Sequence, residues 1–169
     1  MIFWFFGFPG VGKDYCANLF AELNNIPYFD ADNFLTDKER SLLKTGQFTK
    51  ENRLIKLRRI ATYLEEQLKT TPHLVIGDSL PDNASRKMLA DRFLERIVFI
   101  HVIAPTNIHH KRISERKNHF FTADLLTDWV KKHWEESIEI PHISLNNDSK
   151  DSKKLISKLK TLTNQYIKV

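Results

Sequence analysis

The sequence of 169 residues has little cysteine and no long apolar run. Cys16 is the only cysteine, so no disulfide can form within the chain, and a reducing, cytoplasmic location is expected. The longest leading apolar stretch, Ile2–Phe6, is too short to cross a bilayer and lacks the features of a signal peptide. Repeats and low-complexity segments are also missing. We therefore expect one domain over residues 1–169, with no membrane partner.

The excess of basic over acidic residues is small. Lys and Arg number 26 against 21 Asp and Glu, which gives a formal net charge of +5. Because the basic residues are dispersed, this charge suits an enzyme for anionic phosphate ligands and does not indicate a nucleic-acid partner. A zinc site is not indicated either, since His109 and His110 are adjacent and cannot share a helix face.

The most informative stretch is the glycine-rich turn at residues 7–14, Gly-Phe-Pro-Gly-Val-Gly-Lys-Asp, between an apolar strand and a helical pattern. Its glycines let the backbone curl with several N–H groups pointing inward, and the following helix adds its positive dipole end. Lys13 supplies a charge for the β- and γ-phosphates. This GxxxxGK pattern predicts a nucleotide-binding loop, although a tight structural turn is the alternative. Its expected nucleotide contacts are Gly7, Gly10, Val11, Gly12, Lys13, Asp14 and Tyr15.

Asp14 departs from the motif, which has Ser or Thr at this position to hold Mg²⁺. An extra anion about 5 Å from a phosphate charge costs roughly 3 kcal/mol at an effective dielectric near 20, and Lys13 offsets a similar amount. Asp14 is therefore either an alternative Mg²⁺ ligand or the mark of a weakened site. Asp78, at the end of the third apolar strand, is a second candidate metal ligand, with helix capping as its alternative role.

Five apolar stretches, at residues 2–6, 26–32, 73–79, 97–103 and 140–145, predict strands. Helical patterns separate them. The clearest is a helix that Thr49 caps, with an apolar stripe formed by Leu54, Leu57, Ala61, Leu64 and Leu68. Strands alternating with helices predict a three-layer α/β/α fold around a five-stranded parallel sheet.

Two carboxylates follow the second predicted strand, where open α/β sheets bind ligands. Asp30 and Asp32 are two apart, so on extended backbone they point to the same side. One of them is expected to act as general base for an acceptor hydroxyl or to hold water on Mg²⁺, while Asp32 has helix capping as its alternative. Arg53, near a helix start, is placed to grip an anionic substrate in bidentate fashion. Arg58 and Arg59 are expected on a solvated face.

Arg112 and Arg116 are four residues apart and share a helix face. They lead into a polar and then aromatic stretch, residues 117–121, that suits a mobile cover. Arginines on a closing flap neutralise charge on a transferring phosphoryl group. The alternative is a basic surface helix.

These motifs together resemble those of the P-loop small-molecule kinases. The resemblance is strongest to the gluconate kinase group, which comprises gluconokinase-like and shikimate kinase-like proteins. The resemblance begins with the phosphate loop and the Asp-Ala-Asp at residues 30–32. Residues 43–53, Leu-Lys-Thr-Gly-Gln-Phe-Thr-Lys-Glu-Asn-Arg, are similar to that group's K-M-x-x-G-x-P-L-x-D-x-D-R. Residues 116–121, Arg-Lys-Asn-His-Phe-Phe, are similar to its R-K-x-H-F-F.

The resemblance implies transfer of the γ-phosphate of ATP, with Mg²⁺, to a hydroxyl of a small polar acid or sugar acid. It implies the strand order 2-3-1-4-5, an acceptor-binding helical segment at about 33–68 and a lid at about 112–124. The implied catalytic residues are Lys13, Asp30 and Arg116. The implied acceptor contacts are Asp30, Asp32, Arg53 and His119, and the implied nucleotide contacts include Arg112, with Asn146 and Asn147 near the adenine.

Two other functions stay open beside this one. A nucleoside or nucleotide kinase would need a ring to stack on the acceptor base, for which Phe34 or Phe48 are candidates. A non-catalytic ATP-binding protein, with Asp14 as a degenerate Walker A residue, would bind ATP regardless of Mg²⁺. The expected partners are a nucleotide and a small-molecule acceptor, and a homodimer is left open.

Overall fold

The computed structural model describes residues 1–105, 108, 112, 137–148 and 152–167. The strands in these ranges are β1 (Ile2–Phe6), β2 (Tyr28–Asp30), β3 (Leu74–Asp78), β4 (Ile97–Ile103) and β5 (Ile143–Asn146). The α-helices are α1 (Lys13–Asn24), α2 (Asp37–Lys44), α3 (Lys50–Gln67), α4 (Asn83–Phe93) and α5 (Ser152–Tyr166). Two short 3₁₀ turns lie at Ala31–Phe34 and Leu94–Arg96.

All four strand pairings are parallel, and the order is β2-β3-β1-β4-β5. This confirms the expected α/β class and strand order. Phe6 at the end of β1 lies opposite Asp78 on one side and His101 on the other. The strands therefore end together at one boundary of the sheet, called here the carboxyl edge, and the glycine-rich loop starts there.

Two strands are shorter or shifted relative to the predicted stretches. The second is limited to Tyr28–Asp30, because Asp30 caps the 3₁₀ turn that follows it. The fifth begins at Ile143 rather than at residue 140. Pro141 has no N–H for a strand ladder, which favours a later start.

The core lies on both faces of the sheet, as three layers require. Every residue of β1 is buried, and its side chains alternate between the faces. Phe3 and Phe5 pack with Phe20 of α1, with ring centroids 4.9 and 5.6 Å apart. Trp4 and Phe6 belong to the apolar cluster on the opposite face, which includes α3.

Helix α3 begins as predicted at its cap Thr49, whose hydroxyl accepts the N–H of Asn52 while the Asn52 side chain accepts the N–H of Thr49. Its buried face includes Leu57 and Leu64, whereas Leu54 is only half-buried. The solvated face expected for Arg58 is confirmed. Arg59 is only partly solvated: its side chain is 38% exposed, and its guanidinium donates to the buried Glu39 carboxylate at 2.7 Å.

Among the described residues, no helix combines the length and the apolar character that crossing a bilayer requires.

His101 makes the stability of the fold depend on pH. Its ring stacks on Phe6 at 5.0 Å and meets His142 edge-on at 5.7 Å. Burial, helped by His142 and Arg86, lowers the pKa of His101 to about 4. The unfolded chain binds this proton near pH 6.5, so the stabilisation is fully present above that pH and is lost as pH falls from about 6.5 towards 4.

The variant His101→Phe keeps a ring on Phe6 but has no proton to bind. We expect wild type to lose more free energy of unfolding than His101→Phe between about pH 7.5 and pH 5, as measured by urea denaturation. Equal losses in the two proteins would contradict this account of His101.

Candidate active site

The glycine-rich loop has the backbone that its glycines predict. Gly10 and Gly12 have φ angles of 87° and 85°, which side-chain-bearing residues rarely adopt. A Cβ at Gly7 would lie 2.5 Å from the Val102 carbonyl oxygen, so only glycine fits there. Gly12 also precedes α1 without a side-chain cap, which leaves the first N–H groups of this helix for a ligand.

Two residues from far along the chain hold the loop in place. The carbonyl of Val11 accepts hydrogen bonds from Asn147 Nδ2 at 2.8 Å and from Arg112 Nη1 at 3.0 Å. The predicted nucleotide residues Arg112 and Asn147 thus lie beside the loop, and Asn147 is buried. Tyr15 on α1 is exposed.

Lys13 is held by the residue that departs from the motif. Its Nζ lies 2.9 Å from Asp14 Oδ2, with the two side chains 14% and 39% exposed. Burial lowers the pKa of Lys13, but the carboxylates of Asp14, Asp32 and Asp78 outweigh it, so the net shift is upward. Lys13 therefore keeps the positive charge that phosphate binding needs.

Asp14 occupies a space that β3 leaves open. A Cβ at Gly77 would lie 2.6 Å from Asp14 Oδ1 and 3.2 Å from the Tyr28 hydroxyl. Burial and the charges of Asp14, Asp30 and Asp32 raise the pKa of Tyr28, so its hydroxyl keeps its proton. The absence of a side chain at Gly77 thus accommodates the Asp14 carboxylate.

Asp30 and Asp32 have different environments. Asp30 Oδ1 accepts the N–H of Asp32 at 2.8 Å, so Asp30 provides the cap that the sequence suggested for Asp32. Because β2 ends at Asp30 and Asp32 lies in the 3₁₀ turn, the prediction that both extend from one strand on the same side is wrong. Burial raises the pKa of Asp32, with Asp78 and Asp30 adding to the shift and Lys56 and Lys13 opposing it.

Lys56 is a site residue that sequence reasoning missed. It is buried, and its Nζ lies 3.0 Å from Asp78 Oδ2. The other Asp78 oxygen accepts the N–H of Ser79 at 2.7 Å. Its position could have indicated this role, because it lies three residues after Arg53 on the face of α3 that also buries Leu57. A charged residue on a buried apolar face needs a partner of opposite charge.

Arg53 is also paired rather than free to grip a ligand with both terminal nitrogens. Its Nη1 donates to Asp82 Oδ2 at 2.6 Å, with both side chains buried. Its Nη2 is buried too and has no hydrogen-bond partner among the described residues. Asp82 Oδ1 accepts the N–H of Ser85 and so caps α4, a role that the sequence gave as an alternative for Asp78. Burial raises the pKa of Asp82, but Ser85 and Arg53 outweigh it and lower the pKa overall.

The candidate metal ligands Asp14 and Asp78 each face a lysine. Within the described ranges, no group of three His, Cys, Asp or Glu side chains is arranged to hold a metal ion. This donor set nevertheless suits Mg²⁺, which is usually bound by one or two carboxylates together with substrate phosphates and water. The predicted lid residues Arg116 and His119 lie outside the described residues.

No protein-family model and no curated protein matches the sequence. Solved structures do match. A sugar kinase from Janibacter sp. HTCC2649 is 22% identical with a TM-score of 0.80, over 96% of this chain and 94% of that one. A gluconokinase from Sinorhizobium meliloti 1021 is 18% identical with a TM-score of 0.72, over 98% and 96%. The APS kinase of Mycobacterium tuberculosis is 17% identical with a TM-score of 0.68, over 95% and 96%.

These similarities define the fold as that of the P-loop kinases. More narrowly, the chain has the fold of the P-loop small-molecule kinases over nearly its whole length, as the sequence resemblance implied.

Because Gly77 leaves room for Asp14, we expect the effect of Gly77→Ala on the free energy of unfolding to depend on which residue is at position 14. Gly77→Ala should lower the free energy of unfolding by about 1 kcal/mol, because the new methyl group displaces the Asp14 carboxylate from Lys13. In an Asp14→Ser background the same substitution should be neutral, or stabilising by up to about 1 kcal/mol, since alanine suits a strand better than glycine. Denaturant unfolding of the four proteins measures both effects. An equal loss in both backgrounds would show that Asp14 is not the obstructing group.

Proposed function

We propose that the protein is an ATP-dependent kinase that transfers the γ-phosphate to a hydroxyl of a small polar acid or sugar acid. The observation that supports it most is the shared location of the loop with its charged Lys13 and the acidic residues Asp32 and Asp78, at the carboxyl edge. Phosphoryl transfer needs alignment and charge neutralisation more than covalent chemistry, and these groups provide both. The matching structures include kinases described with shikimate and with AMPPNP and APS, which supports this class of reaction.

On the nucleotide side, the N–H groups at the start of α1 and the Lys13 ammonium bind the phosphates. Arg112 and Asn147 hold the Val11 carbonyl and so fix the loop against them. Mg²⁺, when bound with ATP, supplies charge neutralisation, and Asp14 is the residue that would hold it. Magnesium and ATP are thus the proposed cofactors.

On the acceptor side, we assign the base to Asp32. Asp30 is the base that the resemblance implied, but one of its oxygens is committed to the cap. The pKa of Asp32 is raised by burial, which makes its carboxylate a better proton acceptor for a hydroxyl. Arg53 would bind the acceptor, while Arg116 and His119 remain proposed lid contacts.

The role of Lys13 provides the main test. Lys13→Ala should reduce ATP-dependent phosphoryl transfer by about 10²-fold or more, because the loop loses the charge that stabilises the transferring group. ADP release is measured with Mg²⁺ and a panel of sugar acids, shikimate-like acids, nucleosides and nucleotides. Lys160→Ala, at an exposed lysine of α5, is the control and should match wild type. Unchanged ATP consumption in Lys13→Ala would refute the assignment.

The same panel separates the acceptor classes. A nucleoside or nucleotide kinase ranks second, because both rings that could stack on an acceptor base are already packed. Phe48 is buried, and Phe34 packs edge-on against Tyr63 with ring centroids 5.1 Å apart. Phosphorylation of nucleosides in preference to acids would reverse this ranking.

The two acidic residues at the end of β2 and in the turn that follows it can be tested against each other. Asp32→Asn should lower kcat by about 10²-fold or more, since the amide cannot take the hydroxyl proton. Asp30→Asn keeps an oxygen for the Asp32 N–H, so its kcat should stay close to that of wild type. A large loss confined to Asp30→Asn would instead assign the base to Asp30.

A further inference from the structure

We propose that Asp82 is a positioning residue of the acceptor site, which holds Arg53 so that its second terminal nitrogen, Nη2, binds an anionic group of the acceptor. This inference rests on the proposed function, because it takes the carboxyl-edge face of α3 as the place where the acceptor binds. The expected acceptor class is therefore one that carries a carboxylate, sulfate or phosphate beside the hydroxyl that is phosphorylated.

The Asp82 carboxylate is fixed at both oxygens. Oδ2 accepts from Arg53 Nη1 at 2.6 Å, and Oδ1 accepts from the Ser85 N–H at 2.9 Å at the start of α4. Asp82 and Arg53 are 6% and 4% exposed, so water screens the pair little. Asp82 thus connects the orientation of the guanidinium to the start of a helix.

The remaining terminal nitrogen of Arg53 has no acceptor in the part of the chain that the structure describes. Nη2 is buried and unpartnered within the described residues. A buried donor that belongs to a charged group is costly to leave unsatisfied, and this favours a site that a ligand completes. The planar guanidinium matches the oxygens of a carboxylate, sulfate or phosphate better than an uncharged hydroxyl.

The neighbouring contacts place this nitrogen on the acceptor side. Arg53 lies one turn before Lys56 on the buried face of α3, and Lys56 pairs with Asp78 at the end of β3. Asp82 follows Asp78 by four residues. Arg53 and Asp82 are therefore near the carboxyl edge but on elements other than the glycine-rich loop, which binds the nucleotide.

Removing the Asp82 carboxylate should change anion binding by Arg53 in opposite directions, depending on whether Asp82 orients Arg53 or only contributes charge. If only net charge mattered, removing the Asp82 carboxylate would strengthen the binding of an anion by Arg53. If Asp82 orients Arg53, its removal weakens that binding. Asn at position 82 still offers one oxygen to the Ser85 N–H, but its amide donor cannot pair with Arg53 Nη1.

The test measures binding without turnover. Sodium sulfate, D-gluconate and shikimate are titrated as probes into the nucleotide-free protein labelled with ¹⁵N-arginine. We expect at least one probe to shift the Arg53 side-chain resonances of wild type. Asp82→Asn and Asp82→Ser should both raise the dissociation constant by about tenfold or more. Ser is also a good helix cap, so a folding failure of one variant does not remove the test. Asp91→Asn, at an exposed position of the same helix, is the control.

Each result decides the proposal. Weaker binding in both Asp82 variants, with thermal unfolding close to that of wild type, supports it. Once a substrate is known, the same variants should show a higher KM for the acceptor and an unchanged KM for ATP. Unchanged or tighter binding would reduce Asp82 to a cap of α4 and overturn the proposal, as would a wild type that binds none of the probes at Arg53. If the probes bind as expected but no phosphoryl transfer occurs, the proposed function fails and the Arg53 anion site stands.

Discussion

The ion pair of Lys13 with Asp14 is the interaction on which the proposed nucleotide site depends. It places an ammonium group at the start of α1, and surrounding carboxylates keep that group charged although its side chain is only 14% exposed. The pair exists because Gly77 leaves room for the Asp14 carboxylate beside β3. Asp14 is therefore accommodated by another part of the fold, as the proposed phosphate site requires. We propose that bound phosphates would compete with Asp14 for Lys13, which would leave the Asp14 carboxylate available to hold Mg²⁺.

The acceptor side follows a similar rule of paired charges. Lys56 faces Asp78, and Arg53 faces Asp82, with both cations on the buried face of α3. Each pair offsets the cost of burying its charges near the end of the sheet. The same helix buries apolar residues one turn later, so its packing fixes the position of the site. Stability and the proposed acceptor recognition therefore depend on the same face of α3.

The parts of the fold that follow from local sequence were predicted well. The apolar stretches located the five strands, the glycines located the loop, and Thr49 located the start of α3, because each depends on neighbouring residues. The strand order came from the resemblance to kinases. The contacts of Lys56 with Asp78 and of Asp14 with Gly77 were not predicted, since they join residues distant in sequence. The common side expected for Asp30 and Asp32 was wrong, because Asp32 lies in a 3₁₀ turn and not on extended backbone.

We propose that Asp14 belongs to an intact Mg²⁺–nucleotide site. Calorimetric titration of the wild-type protein with ATP, in excess Mg²⁺ and in excess EDTA, tests it most directly. We expect Mg²⁺ to tighten ATP binding by about tenfold or more, because Asp14 would hold the metal and the metal would neutralise phosphate charge. ATP binding of equal strength in both conditions would contradict it and identify the protein as a nucleotide binder without the metal-dependent chemistry.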